Sequence, residues 1–292
     1  MEVDVEKALK DYIKKMPSLP TSLAKVLEIC NNPQTSPADL NHVISLDPVL
    51  VGRVLKLINS AYYGLGKPVT NLATAIIMLG INTVKNLALS TTVMGHFSSK
   101  KETHGLDMEG FWRHSLCVGV SAKLLAKKRG IDPKFTEEYF TAGLLHDIGK
   151  IPINALHSKE YVHTVSTADR ERKPLFQVEE NTLGLNHCNT GEMIKTAWKL
   201  DGAIGDTIVN HHDCGGYSGD YKEVLYSVAA ANRFALLSSI GFSGDCHPAA
   251  LPASVWETLN ISWDVFEEIE ERVNSEIEKA EVFLKIGQLE EQ

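Results

Sequence analysis

Apolar residues recur three and four positions apart along most of the chain, the spacing that lays one stripe down an α-helix. In DPVLVGRVLKLINSAYYG the stripe runs through Val51, Leu55 and Ile58. NLATAIIMLG predicts a helix closed by Gly80, and INTVKNLALSTTVMGHF predicts another directly after it. Start signals fall where such segments begin. Ser36-Pro37, Asp47-Pro48 and Asp132-Pro133 each place a capping side chain before a proline, whose fixed φ suits the first helical position. Sustained apolar–polar alternation bounded by turn residues is hard to find, so strands are expected to be few and short. The expected fold class is all-α.

The polar stretch FSSKKETHGLD, from Phe97 to Asp107, interrupts this pattern. It is expected to be a hinge between an amino-terminal helical bundle over residues 1–97 and a helical domain over residues 108–292, the two packing as one unit. Near the carboxy terminus, Phe266, Ile269, Val273, Ile277, Ala280 and Leu284 sit at helical spacing with acids between them. This predicts an amphipathic closing helix on the bundle, with a partner-binding helix as the sharper reading. No fixed-period repeat or low-complexity segment is found.

Composition narrows the class. With 43% hydrophobic and 23% charged residues over 292 positions, the chain is an ordinary globular protein with enough length for a real core. A net charge of -8 argues against a bulk grip on nucleic acid, which needs a basic surface to displace counterions. MEVDVEKALKDY has neither a basic start nor an apolar core, and no stretch approaches a membrane span, so no membrane association is expected. Five cysteines without a C-x-x-C pair argue against a disulfide framework or a thiolate zinc site and fit a reducing cytoplasm.

The chemistry concentrates in the histidines. In AGLLHDIGKIP an apolar segment ends in His146-Asp147, with Lys150 almost one turn on. Adjacent helical side chains lie roughly 100° apart, so both can reach one ion only on their shared edge. His211-His212 repeats that arrangement, followed by Asp213. Imidazole nitrogen and carboxylate oxygen suit Zn, Fe, Mn or Ni, with one or two ions equally compatible. Blander readings stand beside this one. His114 suits a hydrogen-bonded helix residue, His187 a cap for the helix after it, and Lys150 a plain salt bridge to Asp147. His157 and His163 are expected in solvent, and His42, His96, His104 and His247 on the surface or in packing.

The order of His114, His146-Asp147 with Lys150 in HDIGK, His187 and His211-His212 resembles the ligand pattern of the HD superfamily of helical metal-dependent phosphohydrolases. The front half is more specific. From Met16 to Ser90, the markers Leu19-Pro20, Asp47-Pro48, NSAYYG, A-I-x-x-L-G and NLAL resemble the HDOD domain, an HD-related output domain of bacterial signalling. The likeness covers roughly residues 16–240.

The resemblance implies a metal site of His114, His146, Asp147, His187, His211 and His212, with Asn232 and Asp213 as weak ligands or outer support. It further implies catalytic roles for Asp147, which would orient water, and Lys150, which would hold a phosphate oxygen. Asn232 stands where active relatives carry an acid, and Gly110 where some carry a further carboxylate. HHDCGGYSGD departs from the H-H-E-x-x-D-G-x-G-Y-P pattern of the HD-GYP cyclic-di-GMP phosphodiesterases, which weighs against that reaction. Two functions follow: a signalling output module with a metal site, a protein partner and a phosphate-containing ligand, or an active phosphohydrolase on a phosphoester, nucleotide or cyclic dinucleotide.

Overall fold

The computed structural model describes residues 5–97 and 106–287, and every regular element among them is a helix. Six precede the polar stretch: α1 (Val5–Lys15), α2 (Thr21–Cys30), α3 (Pro37–Ser45), α4 (Pro48–Ile58), α5 (Leu72–Leu79) and α6 (Ile81–Phe97). Five more carry the chain to the middle of its second half: α7 (Met108–Lys128), α8 (Pro133–Leu145), α9 (Lys150–Leu156), α10 (Ser158–Glu171) and α11 (Leu175–Leu183). The last six are α12 (His187–Trp198), α13 (Gly202–Asn210), α14 (Lys222–Leu237), α15 (Ala253–Leu259), α16 (Asp264–Ala280) and α17 (Val282–Gly287). Most of the expected hinge, residues 98–105, lies outside the described residues, as does His104.

The caps form where the sequence signals them. Asp47 Oδ1 accepts from Leu50 N at 3.0 Å and Asp132 Oδ1 from Lys134 N at 2.9 Å, each ahead of a proline at the start of its helix. Ser36 and Asp39 close a reciprocal capping box at the start of α3. The phase of α4 differs from the expected stripe. Leu50, Val54, Leu57 and Ile58 are its buried residues, while Val51 and Leu55 are only half-buried. α4 is apolar on most of its circumference, so spacing alone leaves its rotation open by about one residue.

α6 is the central rod, buried nearly all round and packed on α2, α4, α5, α8 and α17. No single helix among the described residues is long and apolar enough to cross a membrane. α7 and α8 meet at Gly119 and Gly143, where a Cβ on Gly143 would lie 2.7 Å from Gly119 Cα. Only hydrogen at both positions allows this approach, and it draws the middle of α7 to the end of α8.

Tyr62, from NSAYYG, is locked across the same junction. Lys123 Nζ donates to its hydroxyl at 3.0 Å and to Glu137 Oε2 at 2.5 Å, and the Tyr62 ring packs 5.3 Å from Phe140 and from Phe283. α16 lays Phe266, Ile269, Val273, Ile277 and Ala280 into the core and packs on α7, as the amphipathic pattern predicts. The helix breaks at Glu281, so the register moves on and Phe283, rather than Leu284, is fully buried. α17 packs on α6 and α4, while α1 buries Leu9 and Ile13 and packs on α9 and α12. One continuous apolar cluster runs from Leu9 to Ile286.

Candidate metal centre

Helix ends build the site. His146 is the carboxy-terminal cap of α8, Asp147 follows it in the turn, and Lys150 opens α9. His187 is the first residue of α12 and His211 caps the end of α13; His114 and Asn232 come from within α7 and α14. The glycine of HDIGK has a steric reason: a Cβ on Gly149 would fall 2.0 Å from His187 O and 2.7 Å from Gly191 N. The turn therefore rests flat on the start of α12, which carries Asp147 to His187. His187 does not cap its own helix; Asn186 does, in a capping box with Asn189.

Asp147, 1% exposed, is the hub. Its Oδ1 lies 3.3 Å from His187 Nε2 and 3.5 Å from His211 Nε2. Its Oδ2 lies 3.3 Å from His146 Nε2, 4.0 Å from His114 Nε2 and 2.6 Å from Lys150 Nζ. Burial opposes the charge on Asp147, but His146 and Lys150 outweigh it and hold the carboxyl well below its ordinary range. Burial likewise works against the Lys150 ammonium, and Asp147 and Glu179 more than compensate, so its pKa is raised. The pair is charged.

The outer ring nitrogens fix the tautomers. His146 Nδ1 bonds Gly143 O at 2.7 Å, His211 Nδ1 bonds Thr207 O at 3.0 Å, and His187 Nδ1 bonds Glu179 Oε2 at 2.6 Å. A carbonyl or carboxylate only accepts, so each Nδ1 carries the proton, and in the neutral ring each Nε2 presents a lone pair inward. His187 Nε2 and His211 Nε2 face each other at 3.4 Å. His212 Nε2 lies 3.1 Å from His187 Nε2 and can donate to it, but His146 Nε2 and Asp147 Oδ1 are buried with no hydrogen-bond partner. These two inward acceptors, walled off from water, have no donor, because the Lys150 ammonium is engaged with the other carboxylate oxygen. A divalent cation fits that donor set: His146 with Asp147 and His114 form one group of suitably spaced ligand atoms, and His187, Cys188, His211 and His212 another.

The remaining expected residues divide. His114 Nε2 lies 3.0 Å from Asn232 Oδ1, so it is both the hydrogen-bonded helix residue and a member of the cluster. Burial, with His146 and Lys150 nearby, pushes its pKa down to about 3, which keeps it neutral. His212 is half-buried, stacked on Phe176 with ring centroids 4.4 Å apart, and its pKa is depressed by burial and by His211 and His187. Asp213 is a correction: it is exposed and accepts from Gly216 N at 3.1 Å in a surface turn, away from the cluster. The Lys150 ammonium is fully engaged, with Asp147 Oδ2, Ser243 O at 3.2 Å and Ser243 Oγ at 3.3 Å for its three donors. His163 is exposed as expected, whereas His157 is half-buried.

The pattern of histidines did not reveal Glu179. Its Oε2 accepts from both His187 N at 2.9 Å and His187 Nδ1 at 2.6 Å, and its Oε1 from Tyr161 OH at 2.7 Å. Burial resists its ionisation, but His187 and Lys150 prevail and its pKa is lowered. This carboxylate–imidazole pairing orients a ligand ring and raises its basicity. Cys188 was also passed over; its Sγ lies 3.9 Å from His211 Nδ1, so a thiol does border the cluster.

Comparison with known proteins places the fold. The profile of the HDOD domain matches residues 16–214, ending short of the residue 240 to which the motif likeness was drawn. A crystal structure of an HDOD domain protein of unknown function from Geobacter sulfurreducens is similar over 96% of this chain and 99% of that one, at 24% identity and a TM-score of 0.75. One of a proposed phosphohydrolase from Shewanella amazonensis SB2B matches over 95% of this chain and 98% of that one, at 24% identity and a TM-score of 0.69. A proposed signal transduction protein from Marinobacter aquaeolei VT8 matches over 98% of this chain and 62% of that one, at 19% identity and a TM-score of 0.73. At these identities the likeness establishes the fold. An uncharacterized protein of Treponema pallidum (strain Nichols) is 25% identical over 225 residues, 77% of this chain, and the chain spans 43% of that relative's length.

Proposed function

This chain belongs to the HDOD domain family, and from that premise we propose that it is a bacterial signalling output module whose histidine cluster binds a divalent metal without hydrolysing a phosphoester. His146, Asp147, His187 and His211 would hold the ion, with His114 and His212 flanking. When bound, the ion supplies the partner the inward lone pairs lack and can acidify a water toward neutrality. Fe, Mn, Zn and Ni all suit imidazole and carboxylate donors. Glu179 fixes the His187 ring, and Lys150 keeps Asp147 ionised.

One observation carries the non-hydrolytic reading: the groups that chemistry would need are already engaged. Lys150 spends its donors on Asp147 and Ser243, leaving none for a phosphate oxygen. At the position of the final acid, Asn232 offers a neutral oxygen that is bonded to His114. The second reading, a phosphohydrolase acting on a phosphoester, nucleotide or cyclic dinucleotide, draws support from the retained set of inward imidazoles.

The test is metal content by mass spectrometry together with a phosphoester panel, run on the wild type, His146→Ala and Asp147→Ala. The expected result is metal in the wild type, metal lost from both variants, and turnover in none. Turnover in the wild type that disappears in both variants establishes the hydrolase instead. A folded wild type that retains no metal after reconstitution would falsify the site.

A further inference from the structure

A pocket lined by none of the clustered histidines lies beside α14. It is an open cleft of about 680 Å³ between α14, α15 and the segments that flank α15, lined by Arg233, Leu237, Leu251, Trp256, Ile261 and Trp263, among others. That volume is in the range of small-molecule sites, ~300–1,000 Å³. Trp256 and Trp263 are both half-buried, with ring centroids 6.1 Å apart and planes at 76°, so one indole face and one indole edge meet at a corner. A flat ring laid against one indole would turn its own edge to the face of the other, the two arrangements that aromatic quadrupoles favour.

Arg233 sets the charge of the occupant. Its Nη1 donates to Pro248 O at 3.2 Å and Ala249 O at 2.6 Å, which fixes the guanidinium at the pocket wall. Among the described residues no carboxylate pairs with it, and its remaining N–H groups meet no protein acceptor. A guanidinium always carries its charge and presents a planar fork matched to carboxylate or phosphate. Two indoles and an uncompensated fork on one cavity wall select for two features in a single ligand, a planar ring and an anionic group.

We infer that this pocket binds a planar aromatic anion. Two sources share that chemistry: a nucleotide, through base and phosphate, and an aromatic carboxylate. The site is separate from the histidine cluster, and α14 joins them, since Arg233 follows Asn232, which faces His114.

The test is intrinsic fluorescence and calorimetry on the full chain, titrated separately with AMP, benzoate and ribose 5-phosphate. Trp112 and Trp198 are buried elsewhere, so quenching reports on Trp256 and Trp263. AMP or benzoate should bind below about 1 mM, a free energy of about −4.1 kcal/mol, and whichever does so identifies the source. Trp256→Ala should weaken that binding by about tenfold, the usual scale for one base–aromatic stack. Arg233→Gln should weaken it comparably, and His146→Ala should leave it unchanged, which separates this pocket from the metal centre. Thermal melts of both pocket variants check that the fold persists; if Arg233→Gln unfolds the chain, Trp256→Phe, which retains a ring, should preserve binding while Trp256→Ala loses it. Ribose 5-phosphate binding as tightly as AMP, no response to AMP or benzoate at 10 mM or so, or equal binding by Trp256→Ala each overturns the inference.

Discussion

Replacing Glu179 by glutamine probes the metal centre without touching a ligand atom. The substitution conserves size and removes one charge from a side chain whose Oε2 holds both His187 N and His187 Nδ1. A hydrogen bond to a charged acceptor contributes about 1.5–3 kcal/mol and a neutral one about 0.5–1.5. Two such bonds lose roughly 2 kcal/mol together on that basis, close to the ~10–100-fold loss of affinity that follows removal of a partner behind a metal-bound imidazole. The carboxyl pKa lies below its ordinary value, so the charge is present throughout the neutral range and the effect should not depend on pH between 6 and 8 or so. The assay is competition with a chromophoric chelator for Zn²⁺ or Mn²⁺, with circular dichroism as the check on folding. Tyr161→Phe, which removes one neutral donor from Oε1, should cost less, about two- to tenfold. Glu179→Gln binding metal within about twofold of the wild type would show that the carboxylate serves packing alone.

Three further outcomes are expected. Gly149→Ala must move its new methyl at least 1 Å or so away from His187 O, which would otherwise lie 2.0 Å off, and should destabilise the fold by about 1–3 kcal/mol in thermal melts; Gly52→Ala, with nothing within 4 Å on the exposed side of α4, should be neutral or stabilising, and equal melting points for the two variants would refute the close approach. Asn232→Asp should raise metal occupancy while lowering the melting point of the metal-free protein, because a second buried carboxylate then stands near Asp147 without compensation; unchanged occupancy by mass spectrometry would place residue 232 outside the coordination sphere. Iodoacetamide at pH 8 should modify exposed Cys246 first and reach Cys117 and Cys214 only on unfolding, since burial pushes both of these thiols up to about 12. The Cys246 pKa is also raised, by burial and nearby acids, so its rate should climb further as pH increases past 8 or so; peptide mapping that finds Cys117 labelled early in the native state would contradict the burial.

What the sequence disclosed followed from how local its causes are. Ser36, Asp47 and Asp132 bond amides two or three residues on, so their helix starts could be read from adjacent letters. The rotation of α4 depends on what α6 presents to it, and an almost wholly apolar segment contains no record of that. The break at Glu281 moves burial from Leu284 to Phe283 for a similar reason, since a periodicity projected through a helix end loses its phase. At the site, adjacency in HD and HH marked the helix ends, and the histidines do converge. Glu179 escaped because it lies on a different helix, eight residues before its partner, where a carboxylate in Val-Glu-Glu resembles any solvated acid. Asp213 erred in the opposite direction: standing next to His212 in the chain, it turns away at the end of α13.

The placement of the outermost described helices has a mechanical consequence. α1 lies on α9 and α12, far along the chain from it, and α17 returns to α4 and α6. Each half is thus strapped by a helix from the other, so neither can swing aside until a strap peels away. A shift of α1 would bear on the helix that begins with Lys150 through a single packed interface, so peeling that strap would loosen the wall of the buried cluster.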